Sequence, residues 1–214
     1  MTANNTALDR FKSGYTDGIR ALASRSVVAL RESRVTPNQL TALGFSLNIA
    51  AAVLLFKELY VEAGIVFLIG SIIDILDGAL ARLRGQATTF GAFIDSTTDR
   101  VSEGFVLGAA ALVLAREGTT WGVAAIFVAL VASFLVSYTR ARAEALGLDG
   151  KAGLMGRGER VVLLAAVILL SPFGALPWGI AVLAALTSFT VVQRILSVHR
   201  QLASAAAEKG TTPL

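Results

Sequence analysis

The residues best suited to chemistry in this sequence are four aspartates that form two pairs. Asp74 and Asp77 are three residues apart, and Asp95 and Asp99 are four apart. Residues at these spacings share one face of a helix, so each pair projects to one side. Oxygen ligands without sulfur or imidazole suit Mg²⁺, Mn²⁺ or Ca²⁺, and paired ions of this kind recur in phosphoryl transfer. The pattern therefore predicts a site for divalent metal ions.

Other common catalytic chemistries lack their side chains. The chain has no cysteine and a single histidine, His199. Disulfides, thiolate nucleophiles, zinc sites made of cysteine and histidine, and a Ser-His-Asp triad therefore have almost nothing to be built from. The chemistry must come from carboxylates, hydroxyls and arginines.

The composition indicates where these residues have to be held. Of 214 residues, 55% are hydrophobic and only 16% are charged, and the mean hydropathy is +0.68. This is too apolar for an ordinary soluble domain of this length, so we expect membrane lipids rather than nucleic acid as its partners. No signal peptide is visible at the start, which predicts a cytoplasmic N-terminus.

The two ends of the chain differ from its middle. Residues 7–31 place apolar side chains at three- and four-residue intervals with basic residues around them. This pattern predicts an amphipathic helix on the membrane surface within the segment 1–34. Thr36 as N-cap and Pro37 at the first helical position indicate the start of the first span. The tail 203–214, rich in Ala, Thr and Gly, is expected to be disordered.

The middle of the chain, residues 35–202, contains six apolar runs. Two of them, 35–56 and 118–139, are uncharged and long enough to cross a bilayer. The other four are too short, so each must continue into a charged neighbour, because a helix rises only about 1.5 Å per residue. We therefore predict an all-α integral membrane protein with six transmembrane helices preceded by the interfacial helix. The charged extensions are 74–82, 95–103, 157–160 and 194–200.

The distribution of basic residues sets the expected orientation. With six spans and a cytoplasmic N-terminus, only Lys57 and Arg116 fall on the outer side. This agrees with the positive-inside rule for a multi-pass protein of the cell membrane with both termini in the cytoplasm. The charged extensions of helices 2, 3, 5 and 6 then meet at one depth. We expect the active site there, in the cytoplasmic third of the helices.

Small residues and one arginine accompany the aspartates. Gly78, Ala81 and Gly91 thin the same helices and allow a bulky ligand or a partner helix to approach closely. Arg82 is eight residues after Asp74, roughly on the same face, and is suited to pair with a phosphate. For any single aspartate an alternative stays open, namely that it caps a helix or pairs with a neighbouring arginine.

The stretch from Asp74 to Asp99 resembles the signature of the CDP-alcohol phosphotransferase family, D-x2-D-G-x2-A-R-x8-G-x3-D-x3-D. Every fixed position of the signature is filled. The resemblance implies a homodimeric transferase of phospholipid biosynthesis that moves a phosphatidyl group from CDP-diacylglycerol onto an alcohol. It also implies direct attack of the alcohol oxygen on phosphorus, with CMP leaving and no covalent enzyme intermediate.

The same resemblance implies roles for individual residues. Two ions of Mg²⁺ or Mn²⁺ would be bound in each active site by Asp74, Asp77, Asp95 and Asp99. Asp99 would also be the catalytic base that removes the proton of the acceptor hydroxyl. The binding site for CDP-diacylglycerol would contain Thr36, Pro37, Asn38, Gln39, Gly78, Ala81, Arg82 and Thr88.

A group of basic residues follows in the last three helices. Taken one by one, these residues fit the positive-inside rule or contact with anionic headgroups equally well. As a group they favour an acceptor that carries its own phosphate, because guanidinium groups bind phosphate through two hydrogen bonds. The segments 137–147 and 156–160 resemble actinobacterial phosphatidylinositol-phosphate synthases, whose acceptor is inositol 1-phosphate. The resemblance implies an acceptor-phosphate site made of Ser137, Arg140, Arg142, Arg157, Arg160 and Arg194.

Two other functions compete with this hypothesis. A phosphatidylglycerophosphate synthase shares the signature and uses glycerol 3-phosphate, another phosphorylated alcohol. A cation transporter could use intramembrane aspartates as its ion path, but an ion path does not explain Arg82 and the basic group at the same depth.

Overall fold

The computed structural model describes residues 35–208. The predicted interfacial helix in 1–34 and the final residues 209–214 lie outside the described residues. Within 35–208 the secondary structure is all-helical, as predicted, with a short 3₁₀ helix at Ser171–Phe173. The α-helices are α1 (Pro37–Phe56), α2 (Tyr60–Leu83), α3 (Thr89–Arg116), α4 (Thr120–Ala145), α5 (Arg157–Leu169) and α6 (Leu176–Glu208).

Four of these helices, α1, α2, α4 and α6, are long and apolar enough to cross a membrane. Helices α3 and α5 do not meet this criterion of length and apolar composition, for different reasons. Helix α3 has 28 residues but carries charged residues along its first half. Helix α5 has only 13 residues, or about 20 Å, whereas a hydrocarbon core is about 30 Å thick. The four apolar helices agree with the predicted membrane protein.

The helices include the charged segments next to the apolar runs, as predicted from the sequence. Helix α2 runs through 74–82, α3 contains 95–103, α5 begins at Arg157, and α6 contains 194–200. Helix α6 then continues to Glu208, past the expected domain boundary at 202. The alanine-rich composition of 203–208 explains the difference, because alanine has the highest intrinsic helix propensity. The first six residues of the expected disordered tail are thus helical.

The start of α1 has the expected N-cap. The Thr36 N–H donates to Gln39 Oε1 over 2.9 Å, and the Gln39 N–H donates to Thr36 Oγ1 over 3.3 Å. This reciprocal pair is a capping box, and Pro37 follows at the first helical position, where no N–H is needed. The sequence therefore fixes where the first helix begins.

The described residues divide into two compact units. The acidic unit comprises 35–46 and 69–99, and the basic unit comprises 47–68 and 100–208. The acidic unit has a small buried apolar core of Leu40 and Leu80, packed by Ile73 and Leu76. The basic unit has a large one, in which Leu55, Leu107, Leu114, Leu164 and Ile168 are fully buried.

Within the basic unit, α4 and α6 lie side by side and run in the same direction. Near their starts the rings of Trp121 and Trp178 are in contact, with centroids 4.8 Å apart. Towards their other ends, Arg194 of α6 donates a hydrogen bond to the carbonyl of Val136 on α4. These two contacts fix the relative direction of the helices.

The connection between α4 and α5 also lies along α6. Four polar side chains of α6 bind its backbone in order: Gln201 at Asp149, Arg194 at Ala152, Gln193 at Leu154 and Thr190 at Met155. From Gln201 back to Thr190 the helix rises about 16 Å. The connection therefore runs along one face of α6, whose polar side chains satisfy backbone groups at four residues of the connection.

Candidate active site

Three of the four predicted aspartates come together in the acidic unit. Asp74 of α2 and both Asp95 and Asp99 of α3 each offer one carboxylate oxygen, and these oxygens all lie within 4.8 Å of one another. Asp74 is 4% exposed, and the other two are partly buried. The spacing of Asp95 and Asp99 puts both on one face of α3, as predicted.

The donor set fits a hard divalent cation. Three carboxylates at this separation repel one another, and partial burial strengthens that repulsion relative to water. A cation with oxygen ligands at about 2.0–2.6 Å holds ligand atoms up to about 4–5 Å apart, which matches the cluster. The arrangement can hold Mg²⁺, Mn²⁺ or Ca²⁺, since neither sulfur nor imidazole is among these ligands.

The fourth aspartate has a different neighbour. Asp77 is buried, and its Oδ2 accepts a hydrogen bond of 2.5 Å from the Thr41 hydroxyl on α1. It is not a member of the three-carboxylate group. Thr41 was not among the predicted site residues, although it lies one turn after Pro37 on the helix already assigned to the site. The hydroxyl fixes one oxygen of Asp77 and leaves the carboxylate its second oxygen.

A cleft opens beside the aspartates in the acidic unit. Its walls come from the start of α1, the end of α2, the α2–α3 turn and the start of α3. Six of the eight residues predicted to bind CDP-diacylglycerol line it, namely Pro37, Asn38, Gly78, Ala81, Arg82 and Thr88. Asp77, Asp95 and Thr41 line the same cleft. The side chains of Thr36 and Gln39 instead bind the backbone in the capping box of α1.

Two glycines of the acidic unit lie where a side chain would be crowded. A Cβ on Gly44 of α1 would lie 3.0 Å from the carbonyl oxygen of Gly70 and 3.2 Å from the Cβ of Asp74. A Cβ on Gly91 would lie 3.0 Å from the hydroxyl of Thr88, which accepts the Gly91 N–H as the cap of α3. Gly44 therefore lets α1 pack against α2 at Asp74, a residue of the carboxylate cluster, and this role was not predicted from the sequence.

The predicted acceptor-phosphate residues all lie in the basic unit, on three helices. Ser137, Arg140 and Arg142 are on α4, Arg157 and Arg160 are in the first turn of α5, and Arg194 is on α6. Contacts join parts of this set, since Arg194 donates to the carbonyl of Val136, the neighbour of Ser137.

Arg160 and Arg194 have protein partners in distant parts of the chain, which were not predicted from the sequence. Arg160 donates two hydrogen bonds to Glu103 of α3, of 2.9 and 3.1 Å. Arg194 donates to the carbonyls of Ala152 and Val136. The partners are far away in sequence, so no local spacing could have revealed them.

The family model of CDP-alcohol phosphatidyltransferase matches residues 34–210. The chain belongs to this family, and it is a CDP-alcohol phosphatidyltransferase of the membrane.

Relatives of this chain are named for particular reactions within the family. The archaetidylinositol phosphate synthase of Pyrococcus horikoshii is 38% identical over 169 residues, which is 78% of this chain and 86% of that protein. The phosphatidylinositol phosphate synthase of Corynebacterium glutamicum is 38% identical over 170 residues, or 76% of this chain and 77% of that protein. The predicted family and the predicted enzyme class, a CDP-alcohol phosphatidyltransferase, are confirmed.

Solved structures of a related enzyme match the fold. The crystal structure of Mycobacterium tuberculosis phosphatidylinositol phosphate synthase with CDP-DAG bound gives a TM-score of 0.74 at 33% identity. The match covers 83% of this chain and 94% of that one. The same enzyme in complex with manganese and citrate gives a TM-score of 0.72 at 34% identity, over 82% and 88% of the two chains.

Proposed function

We propose that this enzyme transfers the phosphatidyl group of CDP-diacylglycerol to a hydroxyl of inositol 1-phosphate, giving phosphatidylinositol phosphate and CMP. The observation that carries the proposal is the convergence of Asp74, Asp95 and Asp99 within 4.8 Å in the unit that also contains the cleft. The mycobacterial relative crystallised with CDP-DAG supports the choice of donor.

Two divalent ions, Mg²⁺ or Mn²⁺, would be held by Asp74, Asp77, Asp95 and Asp99. The manganese complex of the mycobacterial enzyme supports this choice. When bound, such ions neutralise the diphosphate and polarise its phosphorus–oxygen bonds. Thr41 contributes by holding the Asp77 carboxylate in one orientation, as hydrogen-bonded partners of metal ligands commonly do.

The chain's own residues can carry the proton and the phosphates. Asp99 accepts the proton of the acceptor hydroxyl, and the hydroxyl oxygen forms a bond to the phosphorus that bears diacylglycerol. The bond from that phosphorus to the oxygen of CMP breaks, and CMP leaves with the electron pair. Arg82 binds a phosphate of the nucleotide, while Gly78 and Ala81 leave room for the nucleotide next to α2.

The acceptor phosphate is assigned to the basic unit. Ser137, Arg140, Arg142, Arg157 and Arg194 supply donors and positive charge for it. Arg194 keeps its formal charge, because its partners Ala152 and Val136 accept through neutral carbonyls. The relatives named archaetidylinositol phosphate synthase and phosphatidylinositol phosphate synthase support this acceptor over glycerol 3-phosphate.

The enzyme is proposed to cross the cell membrane six times, with both termini and the active site in the cytoplasm, and to be a homodimer. The parallel direction of α4 and α6 supports a crossing between them. The α4–α5 connection climbs about 16 Å along α6 and α5 adds about 20 Å, which together exceed a core of about 30 Å. Because the chain lacks cysteine, the variants Leu146→Cys and Phe173→Cys test this crossing. An impermeant thiol reagent should label them from opposite sides of the membrane.

The acceptor is tested by CMP release from purified enzyme with CDP-diacylglycerol. Inositol 1-phosphate, glycerol 3-phosphate and unphosphorylated inositol are compared, each with Mg²⁺, with Mn²⁺ and with chelator. We expect release with inositol 1-phosphate that requires a divalent ion. Release with glycerol 3-phosphate but not with inositol 1-phosphate would overturn the acceptor and leave the family intact.

A further inference from the structure

The second arginine of α5 is held by an acid on another helix. Arg160 Nε donates to Glu103 Oε1 over 2.9 Å, and Arg160 Nη2 donates to Glu103 Oε2 over 3.1 Å. The side chains are 4% and 17% exposed. Two parallel N–H donors against both oxygens of a carboxylate fix position as well as distance. The guanidinium of Arg160 is therefore locked in one place.

A second ion pair of the basic unit differs from the pair of Arg160 and Glu103 in its exposure and in the helices that it joins. Arg140 and Glu144 make one contact of 2.9 Å within α4, and their side chains are 52% and 49% exposed. An exposed pair within one helix is screened by water and adds little. The pair of Arg160 and Glu103 is shielded and joins α5 to α3, so it determines where the first turn of α5 lies.

The charge of Arg160 is already compensated by this contact. Glu103 supplies a full negative charge to the edge of the guanidinium that would grip an anion in the same forked manner. Arg194 differs, because it donates to uncharged carbonyl oxygens and keeps its net positive charge. A bound phosphate therefore gains more attraction from Arg194 than from Arg160.

We propose that Glu103 is a positioning residue of the enzyme. Through Arg160 it holds the first turn of α5, which begins at Arg157, in the place that acceptor binding requires. Arg160 then acts through this pair and does not itself touch the acceptor phosphate. The inference rests on the proposed function and deepens it, since it divides the basic residues into those that bind phosphate and those that position them.

A charge-swap experiment on the full-length protein tests the proposal. CMP release gives kcat and KM for inositol 1-phosphate and for CDP-diacylglycerol in Glu103→Gln, Arg160→Gln and the double variant Glu103→Arg with Arg160→Glu. Each single variant should lower kcat/KM for the acceptor by about tenfold, with KM for CDP-diacylglycerol unchanged. The swapped pair should recover most of the loss. If Arg160 binds the phosphate directly, the swap puts a carboxylate at that position and the loss deepens, which overturns the proposal.

The matched control is Glu58→Gln, which weakens the exposed pair of Glu58 with Arg116 at 3.9 Å. Its kinetics should equal those of the unmodified enzyme. If the single variants do not fold, Glu103→Gln with Arg160→Gln leaves no charge buried and carries the test. In this double variant kcat/KM for the acceptor should fall by about tenfold, as expected for each single variant. A fall of about a thousandfold would indicate that Arg160 binds the acceptor phosphate directly.

The experiment also separates this inference from the proposed function. If the unmodified enzyme releases CMP only with a different phosphorylated alcohol, the acceptor assignment fails. The same variants are then measured with that alcohol. Recovery by the swapped pair would still support Glu103 as a positioning residue, and a deepened loss would still overturn it.

Discussion

The two compact units hold their charged residues in opposite ways. In the acidic unit one oxygen from each of three carboxylates lies within 4.8 Å of the others, and among its described residues the buried apolar core consists of Leu40 and Leu80. In the basic unit Arg160 and Arg194 donate to a carboxylate and to carbonyls, and a large apolar core lies between the helices. The acidic unit thus brings like charges close together, whereas Arg160 and Arg194 of the basic unit are bound to oxygen atoms of other helices or of the α4–α5 connection.

This difference separates function from stability. Like charges at close range repel one another and a bound cation relieves that repulsion, so residues of the acidic unit should affect activity more than stability. The contacts of the basic unit satisfy buried groups, so their loss should affect stability as well. The variants below test this division, beginning with the largest expected effect.

The substitution Asp99→Asn should have the largest effect. It removes the proposed base and one ligand charge while keeping the shape of the side chain. We expect turnover to fall by about a thousandfold or more, measured as CMP release. Without added metal, the apparent melting temperature in detergent should stay the same or rise, because a like charge leaves the cluster.

The matched control for this variant is the same measurement with saturating Mn²⁺. Mn²⁺ should raise the melting temperature of the unmodified enzyme more than that of Asp99→Asn, since the variant has lost a ligand. Full activity of Asp99→Asn would remove it from the role of base. A marked fall in its metal-free melting temperature would contradict the division between the two units.

The substitution Gly153→Ala should affect stability in the basic unit. Gly153 has φ +116°, and a Cβ there would lie 2.4 Å from Thr190 Cγ2. The added methyl would both strain the backbone and push the α4–α5 connection away from α6. We expect a loss of about 2–4 kcal/mol, measured as a fall in the apparent melting temperature in detergent.

Gly147→Ala is the control for this prediction. Gly147 also has a positive φ, +74°, but a Cβ there would meet nothing within 4 Å. Its cost should be limited to backbone strain of about 1 kcal/mol. Equal melting temperatures for the two variants would mean that contact with α6 does not hold the connection.

The separation of contacting residues along the chain also explains which features could be predicted from the sequence. Asp95 and Asp99 share a face of one helix, and the start of α1 follows from Thr36 and Pro37, so these features are readable from local spacing. The pairs Arg160 with Glu103 and Arg194 with Ala152 join residues 57 and 42 apart. Helical periodicity contains no information about such partners, so the roles of these arginines could not be divided in advance.

The missed residues of the acidic unit have the same cause. Thr41 lies 36 residues before its partner Asp77, and Gly44 matters only because α1 packs against α2 at Asp74. The long α6 and its row of polar side chains also appear in the sequence as ordinary helix. The structure shows that these side chains bind the backbone of the α4–α5 connection, which lies along α6.

The smallest expected effect, from Thr41→Val, is also the sharpest test of the acidic unit. Valine keeps the shape of threonine but loses the hydroxyl that binds Asp77 Oδ2. Serine keeps the hydroxyl, so Thr41→Ser is the matched control. We expect Thr41→Val to weaken Mn²⁺ binding about tenfold, measured by paramagnetic resonance of free Mn²⁺, and to lower CMP release by a similar factor. Thr41→Ser should retain both. Equal metal affinity in the two variants would mean that Asp77 needs no partner on α1, and the unit would depend on its three clustered carboxylates alone.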